Sequence, residues 1–161
     1  MEFSGKVALV TGAGSGVGEA TAVGLAALGA RIGLLDIRAD RVATVAAAIK
    51  AAGGEAIALP PTDIADEAQV EAAVAALVAA TGRLDIVVAN AGINGMWAPI
   101  DEITPAEWDK TMAVNLRGTF LTLHFAVPHL KAAGAGAIVM VASINGTRTF
   151  SSAGATAYAA S

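Results

Sequence analysis

The sequence predicts an α/β protein built on a doubly wound parallel sheet. Short runs rich in β-branched and apolar residues alternate with longer alanine-rich segments along all 161 residues. Alternation of this kind marks βαβ units with right-handed crossovers. The strand candidates are also continuously apolar, as in Ile86-Val87-Val88 and Ile138-Val139-Met140-Val141. Continuous apolar runs belong to strands covered on both faces.

The strands are expected at 7–11, 31–36, 56–59, 84–89 and 137–142, and the helices near 16–29, 40–52, 67–81 and 105–133. Gly29 and Gly53-Gly54 stand where helices should stop, because glycine enters the left-handed conformation of a helix C-terminus at little cost. Thr104-Pro105-Ala106-Glu107 reads as a capping box with proline at the first helical position. The 105–133 stretch should bend or restart near Asn115, since Gly118 lowers helix propensity there. Pro128 should weaken its later part. No repeat, low-complexity linker or domain boundary interrupts the chain, and its length suits one domain with one core.

Composition excludes several classes. Hydrophobic residues make up 55% and charged residues 15%, the reverse of a disordered chain. A net charge of −4 provides neither a basic footprint for nucleic acid nor a polybasic patch for anionic lipid. Without cysteine there is no disulfide framework and no thiolate metal site. The start, Met1-Glu2-Phe3-Ser4-Gly5-Lys6, lacks the charged region and long apolar core of a secretory signal. No apolar run reaches the roughly 18 residues of a membrane span. A soluble cytoplasmic protein is the default expectation.

The first strand runs into Thr11-Gly12-Ala13-Gly14-Ser15-Gly16-Val17-Gly18, after which a helix opens. Gly12 permits a tight turn at positive φ. The missing side chains at Gly14 and Gly16, on either side of Ser15, let the backbone approach a ligand. Gly18 lets the helix sit against the strand, and the N–H groups of Val17 and its neighbours then face a pyrophosphate. The spacing is T-G-x-x-x-G-x-G. A glycine cluster alone marks only a turn, but one between a strand and a helix marks dinucleotide binding. No G-K-[S/T] follows, which disfavours a nucleoside triphosphate loop.

Asp36 closes the second strand. A carboxylate there accepts both ribose hydroxyls of an adenosine and repels a 2′-phosphate, which favours NAD and makes NADP the less suited cofactor. Two other readings stand beside it. Asp36 serves equally as a cap for the next helix, and nearby Arg38 would accommodate a 2′-phosphate.

With these residues in order, the chain resembles the short-chain dehydrogenase/reductase family. The resemblance rests on the glycine turn, on Asp63-Ile64 after the third strand, and on Asn90-Ala91-Gly92 after the fourth. It continues through Asn115 in the long helix and Ser143 after the fifth strand to Tyr158-Ala159-Ala160-Ser161, which matches the first four positions of the family's Y-x-x-x-K. It covers the whole chain. It departs at Ala89, where the family often has a further asparagine; Asn90 remains to bond the backbone of a neighbouring strand.

The resemblance implies a dinucleotide-binding Rossmann domain over 1–161, strand order 3-2-1-4-5, incomplete at its C-terminus with the later strands missing. It implies an oxidoreductase passing a hydride between a nicotinamide cofactor and an alcohol or ketone, in a homo-oligomer. Tyr158 would be the general acid/base, Ser143 would hold the substrate oxygen, and Asn115 would hold a water of the proton relay. Asp63, Ile64, Asn90, Ala91 and Gly92 would contact the cofactor.

A free phenol titrates near pH about 10, so working near neutrality requires nearby positive charge. The family lysine would follow Ser161. A chain ending at Ser161 is therefore expected to have little turnover by itself, to leave the fifth strand as an apolar edge, and to expose the apolar residues Phe120, Leu121, Leu123, Phe125 and Val127.

In isolation these residues have plainer readings. Ser143 suits a strand end, Tyr158 a surface, Asn115 a helix irregularity, and Thr62-Asp63 a turn cap. His124 and His129 lack a ligand cluster, so packing outranks metal binding. Met96 and Trp97 either border a pocket or pack on the core. The competing functional class is a dinucleotide-binding module without catalysis. A nucleotide-sugar epimerase would need T-G-x-x-G-x-x-G, and Ser15 is not glycine.

Overall fold

A computed structural model describes residues 2–148 and 154–161. Five parallel strands, β1 (Val7–Thr11), β2 (Arg31–Leu35), β3 (Glu55–Ala58), β4 (Ile86–Ala89) and β5 (Ala137–Met140), pair in the order β3-β2-β1-β4-β5. Between them lie α1 (Gly16–Ala27), α2 (Ala39–Ala51) and α3 (Glu67–Thr81), then α4 (Pro105–Met112) and α5 (Gly118–Ala132). A short α6 (Thr156–Ala160) follows. The expected sheet, order and helix layers are all present.

The continuous apolar runs have the expected cause. Val7 and Leu9 point into one core with Val70, Val74 and Leu77 of α3 and Leu121 and Leu130 of α5. Ala8 and Val10 point into a second core with Ala22 of α1 and Val42, Val45 and Ile49 of α2. Successive strand residues face opposite sides, so a strand sandwiched between two helix layers is apolar throughout.

Several strand boundaries differ by one or two residues. β2 stops at Leu35 because Asp36 turns its carboxylate onto the backbone N–H groups of Gly14 and Arg38, both at 3.0 Å. β3 begins at Glu55, whose carboxylate pairs with Arg31 of β2 at 2.6 Å. β4 begins only at Ile86, because buried Asp85 accepts the Val7 N–H at 3.0 Å and pairs with Arg83 and Lys6. Burial raises the pKa of this carboxyl, but the bonds from Arg83, Val7 and Lys6 outweigh it and hold it down at about 2. β5 stops at Met140, although Val141 still donates to the Ala89 carbonyl at 2.9 Å.

The capping box forms as expected, with Thr104 and Glu107 bonded reciprocally. The long helix changes at Asn115, as expected, but by a different device. Residues Ala113–Arg117 form a π-helical turn, and the Gly118 N–H reaches back to the Ala113 carbonyl. Gly118 matters there for space as well as propensity: a Cβ on it would lie 2.7 Å from the Ile64 side chain.

The expectation of a broadly exposed α5 is corrected. Leu121 is buried, and Leu123, Phe125 and Val127 pack against the core, leaving Phe120 exposed on that helix and Leu116 exposed on the preceding turn. β5 is an apolar edge strand, with Val139 51% and Met140 60% exposed. Among the described residues, no helix is long and apolar enough to cross a membrane.

Candidate active site

The site grows from the C-terminal ends of β1 and β4, where the crossover from β3 brings the chain back beside β1. Open α/β sheets bind ligands at such a switch point. Two side chains stitch the strands together. The Thr11 hydroxyl oxygen accepts the N–H groups of Asn90 at 2.9 Å and Ala91 at 3.0 Å. The Asn90 amide donates back to the Thr11 carbonyl at 3.0 Å, the cross-strand bond expected of it.

The glycine turn is built around this seam. Gly12 turns the chain at φ +64, and its missing Cβ would lie 2.9 Å from Ala91 Cα. A Cβ on Gly18 would collide with the Gly12 carbonyl. Gly14 has a further reason to be bare. A side chain there would meet Asp36 Oδ2 and Arg41 Cβ at 2.9 and 2.8 Å, so its bareness makes room for Asp36. Ser15 is the N-cap of α1 but makes no side-chain cap bond, which leaves the first-turn N–H groups to a ligand.

Two clefts open on this floor. The first, about 580 Å³, is lined by Gly12, Ser15, Val17, Asp36, Asp63, Ile64, Asn90, Ala91 and Gly92. Gly14, Gly16 and Gly18 do not line it. They shape the turn at its wall. Asp36, Arg38, Asp63 and Lys110 all line this cleft, and Arg38 Nη2 donates to the Ser15 hydroxyl at 3.3 Å. Asp63 also does what its plainer reading required, accepting the Ala65 N–H at 2.9 Å.

The second cleft, about 550 Å³, shares Asn90, Ala91 and Gly92 with the first and brings together Asn115, Ser143 and Tyr158. Ser143 follows β5 and caps a short turn, its hydroxyl accepting the Asn145 N–H at 3.2 Å. Tyr158 sits half-buried on α6. Asn115 is bonded on every side. Its side-chain oxygen accepts the Ile93 N–H at 2.8 Å, and its amide donates to the Ile93 carbonyl and to the Ser161 hydroxyl, both at 2.9 Å. Both amide hydrogens are thus engaged within the protein, and the side chain braces the loop at Ile93.

Ile93, Lys110 and Val114 belong to this region and went unnoticed in the sequence, where Thr11 was legible only as the start of the glycine turn. For Lys110 the available signal was its place about one turn before Asn115 in the same helical stretch, and for Val114 its position next to Asn115. Met96 and Trp97 are exposed beside Gly154, whose missing Cβ would lie 3.4 Å from Trp97. His124 packs its ring near Phe120 and Phe125, with centroids 5.5 and 5.0 Å away. Among the described residues no group of three or more acidic or histidine side chains is placed to hold a metal.

A glycine turn at a switch point, an acidic residue after β2 and a polar cleft at the same floor are features of the Rossmann class of α/β folds. The chain belongs to the short chain dehydrogenase family, whose model matches residues 6–161. It is 42% identical to a levodione reductase of Leifsonia aquatica over 91% of this chain and 55% of that protein. A 3-ketoacyl-ACP reductase structure from Sinorhizobium meliloti matches with a TM-score of 0.93 and 63% identity, over 96% of this chain and 60% of that one. A xylitol dehydrogenase with NAD+ bound (TM-score 0.93, 31% identity, 99% and 60% covered) and a metagenomic short-chain oxidoreductase with NADP (0.92, 38%, 99% and 71%) are also similar. The chain spans about half the length of the curated relatives it matches.

Proposed function

We propose that the protein is an NAD-preferring oxidoreductase that interconverts an alcohol and a ketone. The observation that carries this reading is the meeting of Asn115, Ser143 and Tyr158 in a cleft that shares the Asn90-Ala91-Gly92 floor with the dinucleotide cleft. The residues present suit the cofactor. The first cleft offers a helix start without a side-chain cap for a diphosphate and a carboxylate for ribose hydroxyls.

When bound, the nicotinamide ring supplies the hydride acceptor or donor. The chain supplies the rest. Ser143 donates a hydrogen bond to the substrate oxygen and so orients the carbon. Tyr158 takes the hydroxyl proton during oxidation and returns it during reduction. Asn115 fixes the loop at Ile93, and with it the floor common to both clefts. Asp36 accepts from the ribose with the lone pairs left after Gly14 and Arg38, and its charge opposes a 2′-phosphate.

NADP keeps a foothold through Arg38, whose guanidinium is held at the cleft by Ser15, and one similar structure holds NADP. The names of the relatives support a secondary alcohol or a carbonyl as the substrate. In the same reading the protein works in the cytoplasm as a homo-oligomer, with exposed Leu116 and Phe120 available to a second copy.

The test is turnover by the full-length protein, followed by the absorbance of reduced cofactor, with NAD and a panel of cyclic secondary alcohols and linear polyols. Oxidation of at least one alcohol is expected, with the rate lost in Tyr158→Phe. Turnover that survives Tyr158→Phe would overturn the assignment of the proton to Tyr158.

A further inference from the structure

One helical turn reaches both clefts and a loop that lines one of them. The π-helical turn Ala113–Arg117 holds one residue more than an α-helical turn, and its successive side chains serve different places. Val114 lines the dinucleotide cleft, whereas Asn115 and Leu116 line the second cleft. Arg117 reaches the loop between β3 and α3, which brings Asp63 and Ile64 to the dinucleotide cleft. Its Nη1 donates to the Ala65 carbonyl at 2.5 Å, and its Nη2 donates to the carboxylate of Glu67, the first residue of α3, at 3.1 Å. Gly118 follows at once and meets the same loop: a Cβ there would lie 2.7 Å from the Ile64 side chain and 3.1 Å from the Ile64 carbonyl oxygen. Other bonds of the loop run to the end of β2 and to α3. The Thr62 N–H donates to the Asp36 carbonyl at 3.0 Å, and the Asp63 N–H donates to Gln69 Oε1 at 2.9 Å. Arg117 and Gly118 tie the loop to a third element.

We propose that Arg117 is a positioning residue for the adenosine end of the cofactor: its guanidinium holds the loop at Ala65, and so sets Asp63 and Ile64 at the cleft. This rests on the reading of that cleft as the seat of a nicotinamide dinucleotide. Asp63 and Ile64 share the cleft with Asp36, whose carboxylate suits the ribose hydroxyls of an adenosine. A guanidinium fits the task because its rigid fork donates to a carbonyl and a carboxylate at once. The ion pair with Glu67 is exposed on both sides and contributes little by itself. The charge-assisted bond to the Ala65 carbonyl acts on the residue next to Ile64 and is the one that sets the loop. Asn115 keeps its own bonds to Ile93, so the second cleft does not depend on Arg117. The effect of losing the guanidinium falls on cofactor binding and spares the chemical step.

The test titrates the full-length protein and its Arg117→Ala variant with NAD and with adenosine diphosphate ribose, which lacks only the nicotinamide. Arg117→Ala should weaken both by the same factor, about three- to tenfold, while kcat at saturating NAD stays within about twofold. Glu67→Gln removes the ion pair and leaves the bond to the Ala65 carbonyl, so its NAD affinity should stay within about twofold of the parent. Amide hydrogen exchange reads the loop directly: residues 62–66 should exchange faster in Arg117→Ala, with β1 and α1 unchanged. Parental affinity in Arg117→Ala, a loss for NAD that adenosine diphosphate ribose does not share, or a kcat that falls in step with affinity would each overturn the inference. So would a loss in Glu67→Gln equal to that in Arg117→Ala, or unchanged exchange at 62–66. A parent protein that binds neither ligand would instead remove the reading of the cleft, and the exchange measurement would still decide whether Arg117 holds the loop.

Discussion

At the residue scale, the tightest constraint is the contact of Gly18 with the Gly12 carbonyl and the Asn90 amide. A methyl group at position 18 must push α1 away from the turn, and overpacking of this kind costs about 1–3 kcal/mol. Gly18→Ala should weaken NAD binding at least about tenfold, read by quenching of protein fluorescence on titration. An unchanged affinity would mean that the turn is not the cofactor's seat. Asp36 decides which cofactor is preferred. Asp36→Ser removes the charge that opposes a 2′-phosphate and leaves Arg38 beside the site, so the ratio of NAD to NADP affinity should fall by about tenfold or more. The glycine turn, Asp36 and the Asn90 seam were legible in the sequence because each is a backbone requirement expressed at a fixed spacing. The role of Gly14 was not, because its neighbour Asp36 arrives from another strand. The brace through Asn115 and Ser161 was hidden for the same reason: it joins residues 46 apart in sequence through side-chain bonds that no local pattern announces.

At the element scale, β1 and β4 are tied at both ends, by Thr11 and Asn90 at the site and by Asp85 at the opposite end. Asp85 is buried, takes the first N–H of β1 and meets two cations that remain partly exposed. Its carboxyl titrates at about 2, below the ordinary 3.8. The depressed value gives the sign: its contribution is complete above the unfolded pKa and is lost as pH falls from about 4 towards 2. Urea unfolding midpoints should therefore decline over that window, and Asp85→Asn should flatten the decline. At neutral pH Asp85→Ala should cost about 2 kcal/mol, since it strands the Val7 N–H and two cations. A midpoint that does not move would show the network to be surface ornament. Helix existence and order were legible from alternation and capping residues. The π turn at Ala113–Arg117 was legible only as a place of change, because Gly118 answers to Ile64 on a different element.

At the scale of the whole molecule, the sheet has a covered centre and two edge strands, β3 and β5. β1 and β2 are buried, whereas β5 carries Ile138, Val139 and Met140 exposed. An apolar edge strand with free backbone groups templates further pairing. A polypeptide of residues 1–161 prepared alone should therefore bind an apolar dye and self-associate with concentration. Val139→Lys should reduce that association, as followed by light scattering. The architecture was readable because continuous apolar strands and alternation of elements leave few topologies. Exposure of α5 was overread, since an apolar helix inventory does not say which residues face α3 and which face outward.

The central claim is that the cleft between β1, β2 and β4 seats a nicotinamide dinucleotide, NAD ahead of NADP. Calorimetric titration of the full-length protein with each cofactor tests it most directly. The account predicts one saturable site per chain for NAD and an affinity for NADP lower by about tenfold or more. A folded protein that binds neither cofactor would contradict the reading of the site, and one that binds NADP more tightly would contradict the role assigned to Asp36.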